Sequence, residues 1–113
     1  MSSCACCRSD SNETNVACML YAFDREERER YYAVRAELLA EVTTRESERG
    51  FSFLFPNRPT LLQRIAEWVA FENRCCPFIE FAIFASGDAE TLRVDLTGTE
   101  MVKRLIRQEF AIP

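Results

Sequence analysis

The chain has 113 residues, of which 48% are hydrophobic and 28% charged, a composition typical of one globular domain rather than a disordered tail. The formal net charge is −4 and basic residues are scattered among acidic ones, which argues against nucleic acid as the main partner because phosphate binding needs a basic face. Histidine is absent, which excludes Ser-His-Asp and Cys-His catalysis and every mixed Cys/His zinc site.

The location of the protein follows from segments that the sequence lacks. No apolar stretch approaches the roughly 18 residues of a membrane-spanning helix, so no membrane partner is expected. The N-terminus has no apolar run like that of a secretory signal, which predicts a cytoplasmic protein. In that reducing compartment the six cysteines are expected to be thiols or ligands rather than structural disulfides.

The start of the chain is predicted to be a flexible arm, since residues 1–16 are rich in Ser, Asn and Asp and show no periodicity. Three cysteines lie close together in it, Cys4, Cys6 and Cys7, here called the arm cysteines. Residues 17–113 are predicted to form a single domain without internal repeats.

A first helix is predicted over residues 25–42. Asp24 with Glu27 three positions later is the pattern of a capping box, in which each side chain satisfies a backbone N–H at the helix start. Four apolar residues then recur at helical spacing, and they are Tyr31, Val34, Leu38 and Leu39.

A hairpin is predicted next, between residues 42 and 55, with a turn at residues 48–50. Its second strand alternates Phe51, Phe53 and Phe55 with other residues, which indicates three rings that point into the core.

A second helix is predicted to begin at Thr60, where Gln63 completes another capping box. Pro77 disfavours helical geometry at the preceding residue, so this helix should end around Cys75 and Cys76, here called the cysteine pair. The predicted buried face consists of Leu62, Ile65 and Val69, with Leu61 and Trp68 as further candidates.

Two more strands are predicted over residues 78–85 and 91–97, followed by a helix over residues 100–110. The order α-ββ-α-ββ-α predicts an α+β domain, in which a four-stranded antiparallel sheet of two hairpins is covered by three helices. An open edge of such a sheet would allow a homodimer, although no segment specifies an interface.

The cysteine pair is the strongest candidate site. Glu72 precedes the two cysteines by three and four residues, so the three side chains can share one face of the last helical turn. Two neighbouring sulfurs suit a large soft ion, and carbonyl groups at a helix C-terminus favour a cation. The field of these carbonyl groups raises the pKa of a thiol, and the positive charge of Arg74 opposes that effect in part. The alternative is that both cysteines are small apolar core residues.

Whether Cys18 is a ligand depends on the fold. A lone cysteine in an apolar stretch is usually a core residue. If the entry to the first helix packs over the end of the second, Cys18 joins the cysteine pair in a three-thiolate site. Such a site suits Cu(I), Hg(II) or As(III) better than Zn(II), which favours four ligands. The arm cysteines could capture or relay the ion, or belong to an oxidation-prone tail without a specific role.

Several segments together resemble a group of short bacterial proteins that have no assigned reaction. The likeness extends from residue 17 to residue 110 and includes Cys18, residues 51–56, residues 96–98 and above all the Cys-Cys-Pro-Phe segment at residues 75–78. This resemblance implies that Cys18 and the cysteine pair belong together, and it associates the chain with heavy-metal resistance.

The leading hypothesis from the sequence is a binding protein for a thiophilic ion, held by Cys18, Cys75 and Cys76 with the arm cysteines as accessory ligands. No organic cofactor is expected. One alternative is a thiol-dependent enzyme, either a redox enzyme or one that cleaves carbon–metal bonds with Glu72 as the acid. The other is an interaction module with structural cysteines.

Overall fold

A computed structural model describes residues 23–113, so the predictions for the arm cysteines and for Cys18 lie outside the described residues. Within that part of the chain the element order is α1 (Arg25–Leu39), β1 (Thr43–Glu46), β2 (Gly50–Pro56), α2 (Pro59–Cys75), β3 (Glu80–Phe84), β4 (Thr91–Thr97) and α3 (Glu100–Glu109). The predicted α+β class and the order α-ββ-α-ββ-α are confirmed. No helix in the described region is long and apolar enough to cross a membrane.

The four strands form one antiparallel sheet with the order β1-β2-β4-β3. The two hairpins meet through β2 and β4, where Phe51 faces Leu96 and Phe53 faces Val94. A glycine is required at the start of this pairing, because a Cβ on Gly50 would lie 1.9 Å from the Leu96 carbonyl oxygen.

The core lies between the sheet and the helices. Phe51, Phe53 and Phe55 are buried as their alternation predicted, since alternate residues of a strand point to the same face. Trp68 of α2 stacks on Phe53, with ring centroids 6.0 Å apart. The remaining members of this core include Tyr31, Val34, Leu38, Leu61, Ile65, Leu92, Val94, Leu96, Val102 and Ile106.

Helix α1 begins as predicted. The Asp24 side chain accepts a hydrogen bond from the Glu27 backbone N–H, and the Glu27 side chain accepts one from the Asp24 N–H. The helix ends at Leu39 rather than at residue 42, because Thr43 already pairs with Leu54 in the sheet.

Helix α2 corrects two predictions. It begins at Pro59, and its N-cap Arg58 makes no side-chain capping bond, so the capping box predicted at Thr60 is wrong. Proline suits this first turn because it lacks an N–H that would need a partner. Leu62 is 36% exposed rather than buried. The buried face is rotated from the predicted one and consists of Leu61, Ile65, Trp68, Glu72 and Cys75.

The last three elements follow the predictions closely. Strand β4 has the predicted bounds, β3 is shorter than the predicted residues 78–85, and α3 ends one position before the predicted residue 110. Ile83 on the edge strand β3 is 40% exposed although its alternation with Phe81 predicted burial.

Candidate metal centre at the end of α2

The last turn of α2 presents a carboxylate and two sulfurs to the interior. Glu72 is 3% exposed, Cys75 0% and Cys76 2%. The helix ends here, with Cys76 as its C-cap and its backbone N–H donating to the Glu72 carbonyl oxygen. Pro77 follows directly and cannot donate the next helical hydrogen bond. The end of the helix therefore brings both cysteines inward rather than placing them on opposite faces.

The potential ligand atoms of these three residues lie within 4.8 Å of one another. The two sulfurs are 3.6 Å apart. The prediction that Glu72 and the cysteine pair share one face is confirmed. We call this group the Glu-Cys-Cys cluster, and its donor set of two sulfurs and one oxygen is compatible with a metal ion.

The redox state of the two cysteines differs from the sequence-based expectation. Cys75 takes part in a disulfide bond, whereas Cys76 is a thiol. Cys76 is not the partner of Cys75, since it is a thiol. A sulfur in a disulfide carries no thiolate charge and is a poor ligand. The Glu-Cys-Cys cluster could therefore offer both sulfurs to an ion only in the reduced protein.

The Glu72 carboxylate is held by two buried hydrogen-bond donors. Its Oε2 accepts a hydrogen bond from the Tyr31 hydroxyl at 2.7 Å and one from the Trp68 indole N–H at 3.0 Å. Tyr31 comes from α1, and Trp68 lies one turn earlier on α2. A buried carboxylate requires such donors, since its desolvation is otherwise costly. These contacts fix the position of the carboxylate beside the cysteine pair.

A buried ion pair extends this network toward α3. Arg35 donates to the Tyr31 hydroxyl oxygen at 3.3 Å and to the Glu109 carboxylate at 2.5 Å, and it also reaches the Glu109 carbonyl oxygen. Burial alone would lower the pKa of Arg35, but the nearby Tyr31, Glu109 and Glu72 raise that pKa above its ordinary value. Arg35 is thus a permanent cation that links three helices around the cluster.

A small cavity of about 10 Å³ adjoins the cluster. Glu72, Cys76 and Glu109 border it, together with apolar side chains of α3 and of the segment after α2. A cavity of roughly 10–15 Å³ is the smallest that holds one water molecule. The space beside the cluster thus has about the volume of a single water molecule.

Arg74 contacts two residues at the start of α1. It donates to the Glu27 carboxylate at 2.9 Å and lies over the Phe23 ring, 4.7 Å from its centroid. The Arg74 hydrogen bond is the largest cause that lowers the pKa of Glu27 below its ordinary value. The structure places Arg74 in a contact between α1 and the end of α2, and its effect on the thiols stays a prediction from the sequence.

Three residues of the network were missed from the sequence: Tyr31 as a donor, Arg35 and Glu109. Arg35 had a detectable signal, because it lies four residues after Tyr31 and next to Val34 on the apolar stripe of α1. A charged residue on a buried helix face needs a partner from another element. Helical spacing could have found Arg35, but it could not have named Glu109.

A second polar group lies on the outer face of the sheet. Asp95 of β4 accepts a hydrogen bond from the Ser52 hydroxyl at 2.7 Å and pairs with Arg93 at 3.2 Å. Arg93 also lies over the Phe84 ring, beside an open cavity of about 590 Å³ that Arg45 and Leu54 help to line. Among residues 23–113, no thiol lines this cavity.

No protein-family model, curated protein sequence or solved structure is significantly similar to this chain. The candidate site therefore rests on its own geometry.

Proposed function

We propose that the reduced protein binds a soft metal or metalloid ion at the cysteine pair, for sequestration, trafficking or resistance. The observation that carries this proposal is the approach of three buried ligand atoms, from Glu72, Cys75 and Cys76, to within 4.8 Å of one another. Thiolates are soft ligands that select Cu(I), Hg(II), As(III) and similar ions over Mg²⁺ or Ca²⁺.

The surroundings support a cationic ligand. The cysteine pair lies at the C-terminal end of α2, where backbone carbonyl groups favour positive charge. Burial keeps competing water away from the sulfurs, and the cavity beside Glu72 and Cys76 has about the volume of one water molecule. A bound ion would therefore meet little competition from solvent.

The separation of the sulfurs favours an ion with three or four ligands. With metal–sulfur bonds of about 2.3 Å, sulfurs 3.6 Å apart subtend an angle of roughly 100° at the ion. A linear two-coordinate ion would need the sulfurs about 4.6 Å apart at the same bond length. We therefore expect pyramidal As(III) to fit with less movement than linear Hg(II) or Cu(I).

A pyramidal As(III) ion takes a third ligand, and Cys18 is our proposed source of it. Its support is the resemblance of residues 17–110 to the short bacterial proteins with a Cys-Cys-Pro-Phe segment, which pairs an upstream cysteine with the cysteine pair. The arm cysteines would then act as accessory ligands that capture or relay the ion.

The test is an anaerobic titration of the fully reduced protein with arsenite, Hg(II), Cu(I) and Zn(II). We expect a one-to-one complex, followed by thiolate-to-ion absorbance and by native mass spectrometry. The variant Cys75→Ser/Cys76→Ser should lose it. As the matched control, the same substitution at all three arm cysteines should keep the stoichiometry. Unchanged affinity in the Cys75/Cys76 variant would refute the proposal.

An enzyme that cleaves carbon–metal bonds is the second candidate, because Glu72 lies within ligand distance of both sulfurs. The two hydrogen bonds to Glu72 Oε2 place that oxygen as an acceptor, which suits orienting an ion better than delivering a proton. Release of a hydrocarbon from an organomercurial by the wild-type protein, lost in Glu72→Gln, would favour the enzyme over the binding protein.

A further inference from the structure

The Cys75 sulfur has two mutually exclusive bonding partners. It takes part in a disulfide, and it also lies with Cys76 and Glu72 in the Glu-Cys-Cys cluster. A cysteine binds a soft ion as a thiolate, which requires that its sulfur is not in a disulfide. One sulfur atom therefore cannot serve the disulfide and the ion at the same time.

The disulfide does not join the cysteine pair itself. The Cys75 and Cys76 sulfurs are 3.6 Å apart, well beyond the S–S bond length of about 2.05 Å. Cys76 remains a thiol. Cys76 is therefore not the disulfide partner of Cys75.

We propose that the redox state of Cys75 gates the ion site: the thiol form binds the ion, and the disulfide form excludes it. This inference rests on the proposed function and names its regulation. In the disulfide form the cluster retains one thiol and one carboxylate, which is too small a soft-ligand set for a buried ion. Binding of the ion should fall by at least the order of 100-fold.

The gate needs an oxidant, and a small-molecule disulfide such as glutathione disulfide suffices. A thiolate of Cys75 or its partner attacks the small disulfide, forms a mixed disulfide and releases one small thiol. The second protein thiolate displaces the other small thiol and closes the protein disulfide. Two protein thiols are oxidised, and the two electrons and two protons pass to the small disulfide, which becomes two thiols.

The coupling is reciprocal. Oxidation weakens the binding of the ion by a certain free energy. Binding of the ion must then stabilise the thiol form against oxidation by that same free energy. The ion-loaded protein should therefore resist glutathione disulfide, while the ion-free protein is oxidised at Cys75. Oxidative conditions would release the ion, and thiol reductants would restore its binding.

The experiment uses the wild-type full chain, which avoids a variant that fails to fold. One sample is reduced and desalted, the second is oxidised with glutathione disulfide and desalted, and part of the second is then reduced again. Arsenite binding to each is measured anaerobically by native mass spectrometry. Peptide mapping after alkylation identifies the Cys75 partner in the oxidised sample.

We expect binding by the reduced and re-reduced samples and a loss of about 100-fold or more in the oxidised sample. Equal binding by all samples, or a Cys75 that remains a thiol after oxidation, would overturn the gate while leaving the proposed function in place. No binding of arsenite, Hg(II) or Cu(I) by the reduced protein would overturn the proposed function, and the gate with it.

Discussion

Two carboxylates in this protein have the same kind of hydrogen bond in opposite surroundings. Glu72 and Asp95 each accept a hydrogen bond from a hydroxyl group at 2.7 Å, from Tyr31 and Ser52 respectively. Glu72 is 3% exposed, whereas the Asp95 side chain is 28% exposed on the outer face of the sheet. The same contact is worth far more where water cannot replace it.

This difference separates a candidate ligand from an ordinary surface carboxylate. Asp95 is partly exposed, so water can replace the hydrogen bond from Ser52 if that bond is lost. Glu72 is held by Tyr31 and by Trp68, and the cysteine pair follows within one helical turn. Burial and fixed donors, rather than the presence of a carboxylate, distinguish a candidate ligand from an ordinary surface group.

The largest contrast is expected when each carboxylate is removed. Glu72→Ala takes an acceptor from the buried Tyr31 hydroxyl and Trp68 N–H and leaves a cavity, which should lower the free energy of unfolding by about 3–4 kcal/mol. Asp95→Ala should change it by about 0.5 kcal/mol or less. Urea unfolding of the reduced proteins measures both. Similar losses for the two variants would mean that burial does not make the Glu72 carboxylate contribute more to stability than the Asp95 carboxylate.

A slightly smaller loss is expected at the buried ion pair. The side chains of Arg35 and Glu109 are only 8% and 7% exposed. Arg35→Met would leave the Glu109 carboxylate without this cation, at a cost of about 3 kcal/mol in unfolding free energy. The double variant Arg35→Met/Glu109→Leu should recover most of that loss, because it removes both charges together. A double variant as unstable as the single one would contradict this explanation.

Deletion of one hydroxyl from each pair sharpens the comparison further. Tyr31→Phe keeps the buried ring and removes the donor to Glu72, which should lower the unfolding free energy by about 1–2 kcal/mol. Ser52→Ala removes the matching donor to Asp95, where water can replace it, and should lower it by about 0.5 kcal/mol or less. Equal effects of the two variants, measured by urea unfolding, would show that the hydroxyl contributes the same in both surroundings.

The sequence predicted the sheet well because its signals are local. Phe51, Phe53 and Phe55 alternate with more exposed residues, and that period alone assigns a strand and its inner face. Helix α2 was harder to orient, since apolar residues occur on more than one of its faces. Leu62 was placed inside and Glu72 was not, although the opposite is true.

The contacts of the candidate site also divide into local ones, which the sequence predicted, and long-range ones, which it did not. Glu72, Cys75 and Cys76 lie within one turn of helix, so their proximity followed from spacing. Tyr31 meets Glu72 across 41 positions, and Arg35 meets Glu109 across 74. Contacts of this kind depend on how elements pack, which periodicity does not encode.

The smallest expected effect concerns the contact between α1 and the end of α2. Hydrogen bonds from Arg74 and from the Asp24 backbone lower the pKa of Glu27 below its ordinary value of 4.5. A lowered folded-state pKa means that this contact stabilises the protein above pH 4.5 and loses its effect as the pH falls through the folded-state value. The stability difference between the wild type and Glu27→Gln should therefore shrink below that pH.

Glu26→Gln provides the control for this pH dependence. It removes the same charge from the same helical turn, and Glu26 forms no ion pair with any residue of the described region. Any general effect of charge at the start of α1 therefore appears in both variants and cancels. Thermal unfolding of both between pH 3 and pH 7 should show a steeper pH-dependent difference for Glu27→Gln. Parallel curves would mean that Arg74 does not hold α1 against the end of α2, and that the Glu-Cys-Cys cluster is positioned by its buried contacts alone.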